Sequence, residues 1–141
     1  MIIRLWHNWL DMKKHDRAWH EQDMKDEMAE YNEAAGLIER WSELCDVVYT
    51  CTRAHWGGFG DLKYPYARWT FFVGLIYMFP KYTLRWLFFR RVGRQFGKVI
   101  HEVRNPQKVK KLCMIAERND IDPKDFQNAC KRLMKYWIFL K

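Results

Sequence analysis

Glu27 and Glu30 stand three residues apart, and so do Glu43 and Asp46. An i, i+3 pair projects from one side of a helix, so each pair can offer two carboxylates to a common point. The pairs belong to an acidic island: from Glu21 to Asp46 nine carboxylates stand against Lys25 and Arg40, in a chain of formal net charge +8. Anionic oxygens gathered that closely repel one another by several kcal/mol per pair unless screened. A hard divalent cation with oxygen ligands is the natural compensation. Mg²⁺ keeps waters and bridges to phosphate oxygens, and Mn²⁺ is the alternative ion. The competing reading is a solvated helix face, the commonest fate of acidic side chains.

The elements that would position these groups can be read from apolar spacing. Met24, Met28, Tyr31 and Ala35 recur at one helical face, predicting a helix over about 16–35 that Gly36 ends as a left-handed C-cap. Leu37, Trp41, Leu44, Val48 and Cys51 continue at spacings of four and three, predicting a second helix over about 37–56, stopped by Gly57-Gly58-Phe59-Gly60-Asp61. So short a connection makes the two helices antiparallel neighbours and brings four carboxylates to one spot. A third helical region runs from about Tyr66 to Phe96, with Pro80 kinking or breaking it. Asn105-Pro106 and Asp122-Pro123 each read as an N-cap followed by a first-turn proline, opening C-terminal helices over about 106–118 and 123–138. No alternating stretch signals a strand. The expectation is one all-α domain over residues 1–141, a compact antiparallel helical bundle with additional C-terminal helices.

Asp26-Glu27-x-x-Glu30 followed by Glu43-x-x-Asp46 resembles the EExxE…ExxD signature of the MazG-like all-α nucleoside triphosphate pyrophosphohydrolases. The continuation Glu43-Leu-Cys-Asp46-Val-Val-Tyr49 is similar to that family's second metal helix. Asp26 departs from the glutamate usual at its position, and the resemblance covers about residues 23–50. It implies Mg²⁺-dependent cleavage of a nucleoside triphosphate between its α- and β-phosphates, giving a monophosphate and pyrophosphate. Glu27, Glu30, Glu43 and Asp46 would be the metal ligands. The chemistry is metal-assisted in-line attack by water, with one of the carboxylates or Asp26 accepting the proton.

Between Lys81 and Lys111 ten Lys/Arg stand against the single acid Glu102. Arg90, Arg94 and Lys98 follow one another at i+4, which suits either phosphate contact or a solvated basic face. Val103-Arg-Asn105-Pro-Gln-Lys108 is similar to an element that follows the metal helices in many MazG-like proteins, where asparagine and lysine approach the phosphates; as an N-cap, Asn105 also has a purely structural explanation. Trp19, with Trp6 and Trp9, lies where family members place aromatic side chains against the base. With eight tryptophans in the chain, core packing is the default for them. His15 and His20 are five apart and make a poor metal pair.

Cys45, Cys51, Cys113 and Cys130 have no CxxC spacing and read as reduced core residues of a cytoplasmic protein. The start of the chain does not read as a signal peptide. The longest apolar run, Trp69 to Pro80, is shorter than the roughly 20 residues of a transmembrane helix. Its span Trp69–Phe79 is instead a candidate oligomer surface, since MazG-like proteins complete their pocket as homo-oligomers, dimers or tetramers. A different class of function is a basic helical module that binds nucleic acid or a protein partner through Arg85–Lys111, with Trp86 and Phe89 for stacking; the acidic island counts against it. A third reading is a family member that keeps the fold and has lost turnover. Intact Glu27, Glu30, Glu43 and Asp46 argue against that.

Overall fold

The computed structural model describes residues 1–137 and, among them, six helices and no strand: α1 Ile2–Leu10, α2 Arg17–Glu33, α3 Leu37–Gly57, α4 Arg68–Gln95, α5 Val109–Arg118 and α6 Pro123–Met134. The all-α expectation is met. None of the helices is long and apolar enough to cross a membrane. The length predicts one domain; contacts group the chain into two compact units, residues 1–9 with 13–80, and residues 10–12 with those from Lys81 onward.

In the first unit α3 is the central element. Every residue from Leu44 to Ala54 is buried, so three turns of this helix are covered on all sides. That is why Asp46, Thr50, Thr52 and Arg53 lie inside along with Cys45, Val47, Val48 and Cys51. α4 crosses α3 at Gly74, where a Cβ would fall 2.6 Å from Val48 Cγ2; only glycine permits that approach. α1 was not anticipated from the sequence. Its inward face is Ile3, Trp6, His7 and Leu10, at i, i+3, i+4 and i+7, while Ile2, Leu5 and Trp9 stay exposed, a stripe that apolar periodicity does carry.

The α2–α3 connection corrects one expectation. Gly36 is not a left-handed C-cap: its φ is −107°, and it stands as the N-cap of α3 while Ala34 ends α2 in an extended conformation. Two side chains pin the turn instead, Glu39 accepting from the Ala35 N–H at 3.1 Å and Arg40 Nε donating to the Ala34 carbonyl at 3.2 Å. Gly58, with φ +105°, is the residue that does need the left-handed region, closing α3.

Pro80 lies inside α4, which does not end there. The carbonyl it leaves without an N–H partner belongs to Ile76, and both residues are exposed, so solvent can satisfy it. In the second unit, Phe88, Phe89, Val92, Ile100, Leu112, Ile115 and Phe126 form the core with Ala116, Ala129 and Cys130. Asp122 caps α6 as expected, its Oδ1 accepting from the Asp125 N–H at 2.9 Å. Asn105 does not cap α5, a correction to the expected start at 106. The helix begins at Val109 with Lys108 as a cap lacking a side-chain bond. Asn105 instead accepts from the Gln107 N–H at 3.0 Å through its side chain and from the Lys108 N–H at 3.2 Å through its carbonyl. Asn-Pro followed by a polar pair closes a turn more readily than it opens a helix. The expected end of the last helix at residue 138 lies outside the described residues.

Candidate metal centre

Four residues of α2 are buried, His20, Asp23, Met24 and Glu27, and three of them are polar. The inward face of α2 therefore differs from the expected Met24–Met28–Tyr31–Ala35 stripe: Met28 and Tyr31 are half-buried and Ala35 is exposed. His20, Asp23, Glu27 and Glu30 recur at i, i+3, i+7 and i+10, and Glu43, Asp46, Thr50 and Arg53 repeat that spacing on α3. The helices run antiparallel in one register, fixed at one end by Glu30 beside Glu43 and further along by Thr50 Oγ1 donating to Asp23 Oδ2 at 3.3 Å. The same register sets Glu27 opposite Asp46 and His20 opposite Arg53. A continuous polar seam results, acidic at one end and basic at the other.

At the acidic end, one carboxylate oxygen from each of Glu27, Glu30 and Glu43 lies within 4.8 Å of the other two. Glu27 is buried and the other two are half-buried. Oxygens ligating one Mg²⁺ at about 2.0–2.1 Å are about 2.9 Å apart when adjacent and about 4.2 Å apart when opposite, so the three side chains must draw together by up to about 2 Å, within reach of a glutamate rotamer change, to share one ion. The donor set is all-oxygen, which suits Mg²⁺, Mn²⁺ or Ca²⁺ and not a soft ion. Asp46 is buried in the same seam, one turn from Glu43, but is not among the three. The expected convergence of four carboxylates is thus one of three with a fourth adjacent. Asp26 is exposed and its Oδ1 accepts from Gln22 Nε2 at 2.7 Å, so it stands outside the seam.

The remaining expected site residues are placed as follows. Trp19 is half-buried; its ring stacks on His15 at 3.8 Å between centroids and 12° between planes, with the Arg53 guanidinium 4.6 Å from it. Arg90, Arg94, Asn105 and Lys108 belong to the second unit. Arg90 donates to the Leu10 carbonyl at 3.3 Å and lies 3.7 Å from Asp11, near the Trp86 ring, so it is built into the 10–12 segment. Arg94 is exposed, and Asn105 and Lys108 form the turn described above.

Asp23, Thr50, Arg53 and His20 were missed as site residues. The signal was present: His20-x-x-Asp23 extends the Glu27–Glu30 face upstream, and Thr50-x-x-Arg53 extends the Glu43–Asp46 face downstream. Arg53 is 2% exposed and donates through Nη2 to the Lys13 carbonyl at 2.9 Å. His20 is 1% exposed, and burial, then the Arg53 charge, lower its pKa against the opposing pull of Asp23 and Asp16.

Elsewhere in this unit His7 is fully buried, its Nε2 3.1 Å from Thr52 Oγ1, while the Thr52 hydroxyl donates to the Tyr49 carbonyl at 2.9 Å. That hydroxyl proton being committed, the network assigns the N–H of His7 to Nε2. Burial, then the charge of Arg53, push the His7 pKa down to about 3. The Cys51 thiol is pushed up to about 11 and the Cys130 thiol to about 12 by burial, which leaves neither as a thiolate nucleophile near neutral pH. A pocket of about 270 Å³ beside α1 and the end of α3 has Ile3, Arg4, Thr52, His55, Trp56 and Phe71 in its lining.

No family model, no curated protein and no solved structure matches this chain.

Proposed function

We propose that the chain is a MazG-like nucleoside triphosphate pyrophosphohydrolase that uses Mg²⁺ to cleave a (d)NTP to the monophosphate and pyrophosphate. The observation that carries the reading is the meeting of Glu27, Glu30 and Glu43 oxygens within 4.8 Å on two antiparallel helices, at positions that match the EExxE…ExxD resemblance. Glu27, Glu30 and Glu43 would hold the ion, with the buried Asp46 one turn away as a fourth ligand or as the base that takes the water's proton. Asp26, turned out onto Gln22, is set aside for that role. Bound Mg²⁺ would supply neutralised phosphate charge and an activated water. Asn105, Lys108 and Arg94 remain the proposed phosphate contacts, and Trp19 a contact to the base. A homo-oligomer accompanies this reading, supported by the exposed apolar stripe Trp69, Phe72, Val73, Ile76 and Tyr77 on α4. A cytoplasmic location is in keeping with four cysteines outside any disulfide.

The nucleic-acid module is the weaker alternative. Lys81 and Arg85 of the basic region are buried and Arg90 is held by Leu10 and Asp11, which leaves fewer cations to follow a phosphate backbone.

The test is pyrophosphate release from a panel of (d)NTPs with and without Mg²⁺, for the parent and Glu43→Gln. Turnover that depends on Mg²⁺ and drops by about a hundredfold or more in Glu43→Gln, at an unchanged far-UV spectrum, is the expected result. Equal rates in parent and variant would remove the metal assignment.

A further inference from the structure

The basic end of the seam holds a charge that the fold leaves unanswered. Arg53 keeps its positive charge at every accessible pH and is 98% buried. It donates to the Lys13 carbonyl and lies over the Trp19 ring, yet no carboxylate among the described residues pairs with it and its Nε has no hydrogen-bond partner in the protein. Facing it in the seam register, His20 is equally buried, with neither ring nitrogen hydrogen-bonded. Asp23, the nearest acid along α2, accepts from Thr50, and Asp16 caps α2 by accepting from the Trp19 N–H at 2.8 Å. A buried guanidinium that has one neutral carbonyl acceptor and leaves its Nε unbonded, beside an imidazole with no hydrogen bond, is disfavoured unless an anion joins them.

From this geometry we propose that Arg53 and His20 form an oxyanion site for a phosphate-class group, separate from the carboxylates and independent of the metal reading. Asp46 lies seven residues up α3, which is about 10 Å at 1.5 Å per residue. Arg53 Nε and a ring N–H of His20 supply two donors to different oxygens of one tetrahedral anion. Lys13 and Lys14 stand in the segment whose carbonyl Arg53 binds, with the Lys14 Nζ 5.3 Å from the Trp56 ring, so the surroundings carry further positive charge and no added acid.

The way in is the strap over His20. Residues 57–61 contain three glycines; Phe59 covers the His20 ring at 5.4 Å. The strap is tied by Asp61 to Arg17 at 2.6 Å, a solvent-exposed pair and therefore a weak one. At Gly57 a Cβ would stand 3.0 Å from His20 Nε2, so glycine preserves the space the anion needs.

The experiment is a titration of the whole chain with inorganic phosphate in excess EDTA near pH 7.5, following arginine Nε–H resonances by ¹H–¹⁵N NMR. Pyrophosphate and a non-hydrolysable nucleoside triphosphate serve as parallel probes. One buried resonance, missing from Arg53→Lys, is expected to shift saturably. Arg53→Gln is expected to weaken binding by about tenfold or more, in line with the loss of a charge-assisted hydrogen bond, and Gly57→Ala to weaken it with every charge retained. Glu43→Gln is expected to leave the affinity unchanged, which separates this site from the carboxylates. A saturable response to the nucleotide alone assigns the oxyanion to a substrate tail, and one to phosphate or pyrophosphate to a free anion; either upholds the site. An Arg53 resonance that stays fixed with all three probes, or drifts without saturation as a salt effect, overturns it. Should Arg53→Gln fail to fold, the parent titration and Gly57→Ala decide the matter.

Discussion

His7 and His20 are neutral because they are buried, and that has a consequence for stability. The unfolded chain titrates each near 6.5, while the folded His7 resists protonation down to about pH 3 and His20 is shifted in the same direction. Between those limits the unfolded state binds protons that the folded state does not. Stability is therefore complete above about pH 6.5 and declines as pH falls, by up to about 1.4 kcal/mol per pH unit for His7 alone. Urea midpoints taken at about pH 7.5 and pH 5 are expected to differ by an amount worth ~2 kcal/mol, and His7→Gln to reduce that difference. Equal midpoints at the two values would show that His7 is not held neutral. Glu27, Glu30 and Glu43 act at the same scale: each was identifiable by residue type and spacing alone. Asp26 looked equivalent and is not, because a displacement of 100° around the helix turns it from the seam to Gln22.

Among the elements, α6 shows how far local sequence reaches. Asp122 and Pro123 satisfy or remove N–H groups of its first turn, and that interaction is complete within four residues. Asp122→Ala is expected to cost about 1 kcal/mol, seen as a lower thermal midpoint with an unchanged far-UV spectrum; no loss would mean the cap bond is not formed in solution. Asn105-Pro106 places asparagine where α6 has aspartate and makes a turn instead. Asparagine and aspartate are about equal as N-caps, and either geometry uses the side-chain oxygen and the fixed proline φ, so the dipeptide alone does not decide between them. α2 was the hard element to read. It buries His20, Asp23 and Glu27, so apolar periodicity points to the wrong face there, whereas α1 carries a regular stripe in Ile3, Trp6 and Leu10.

At the scale of the molecule, the first half of α4 carries an exposed apolar stripe, with Trp69, Phe72, Val73 and Ile76 at helical spacing and Ile76 exposed by 77%. Under the proposed function this stripe is the association surface, since exposed apolar patches recur at protein–protein contacts. Ile76→Glu is expected to shift an oligomer to monomer in light scattering at micromolar concentration, with the helical content intact. A parent that is monomeric under the same conditions would remove the oligomer from the proposed function.

Composition, apolar spacing and breakers were enough to establish an all-α chain, the two helices that carry the acidic pairs and the cap of α6, because each depends on interactions that close within one or two turns. Which carboxylates meet, which one turns away, and that Arg53 and His20 lie buried opposite each other were decided by the pairing of α2 with α3 inside the first unit. Burial on a central helix is set by what packs around it, and no stretch of one strand of sequence carries its neighbours' positions.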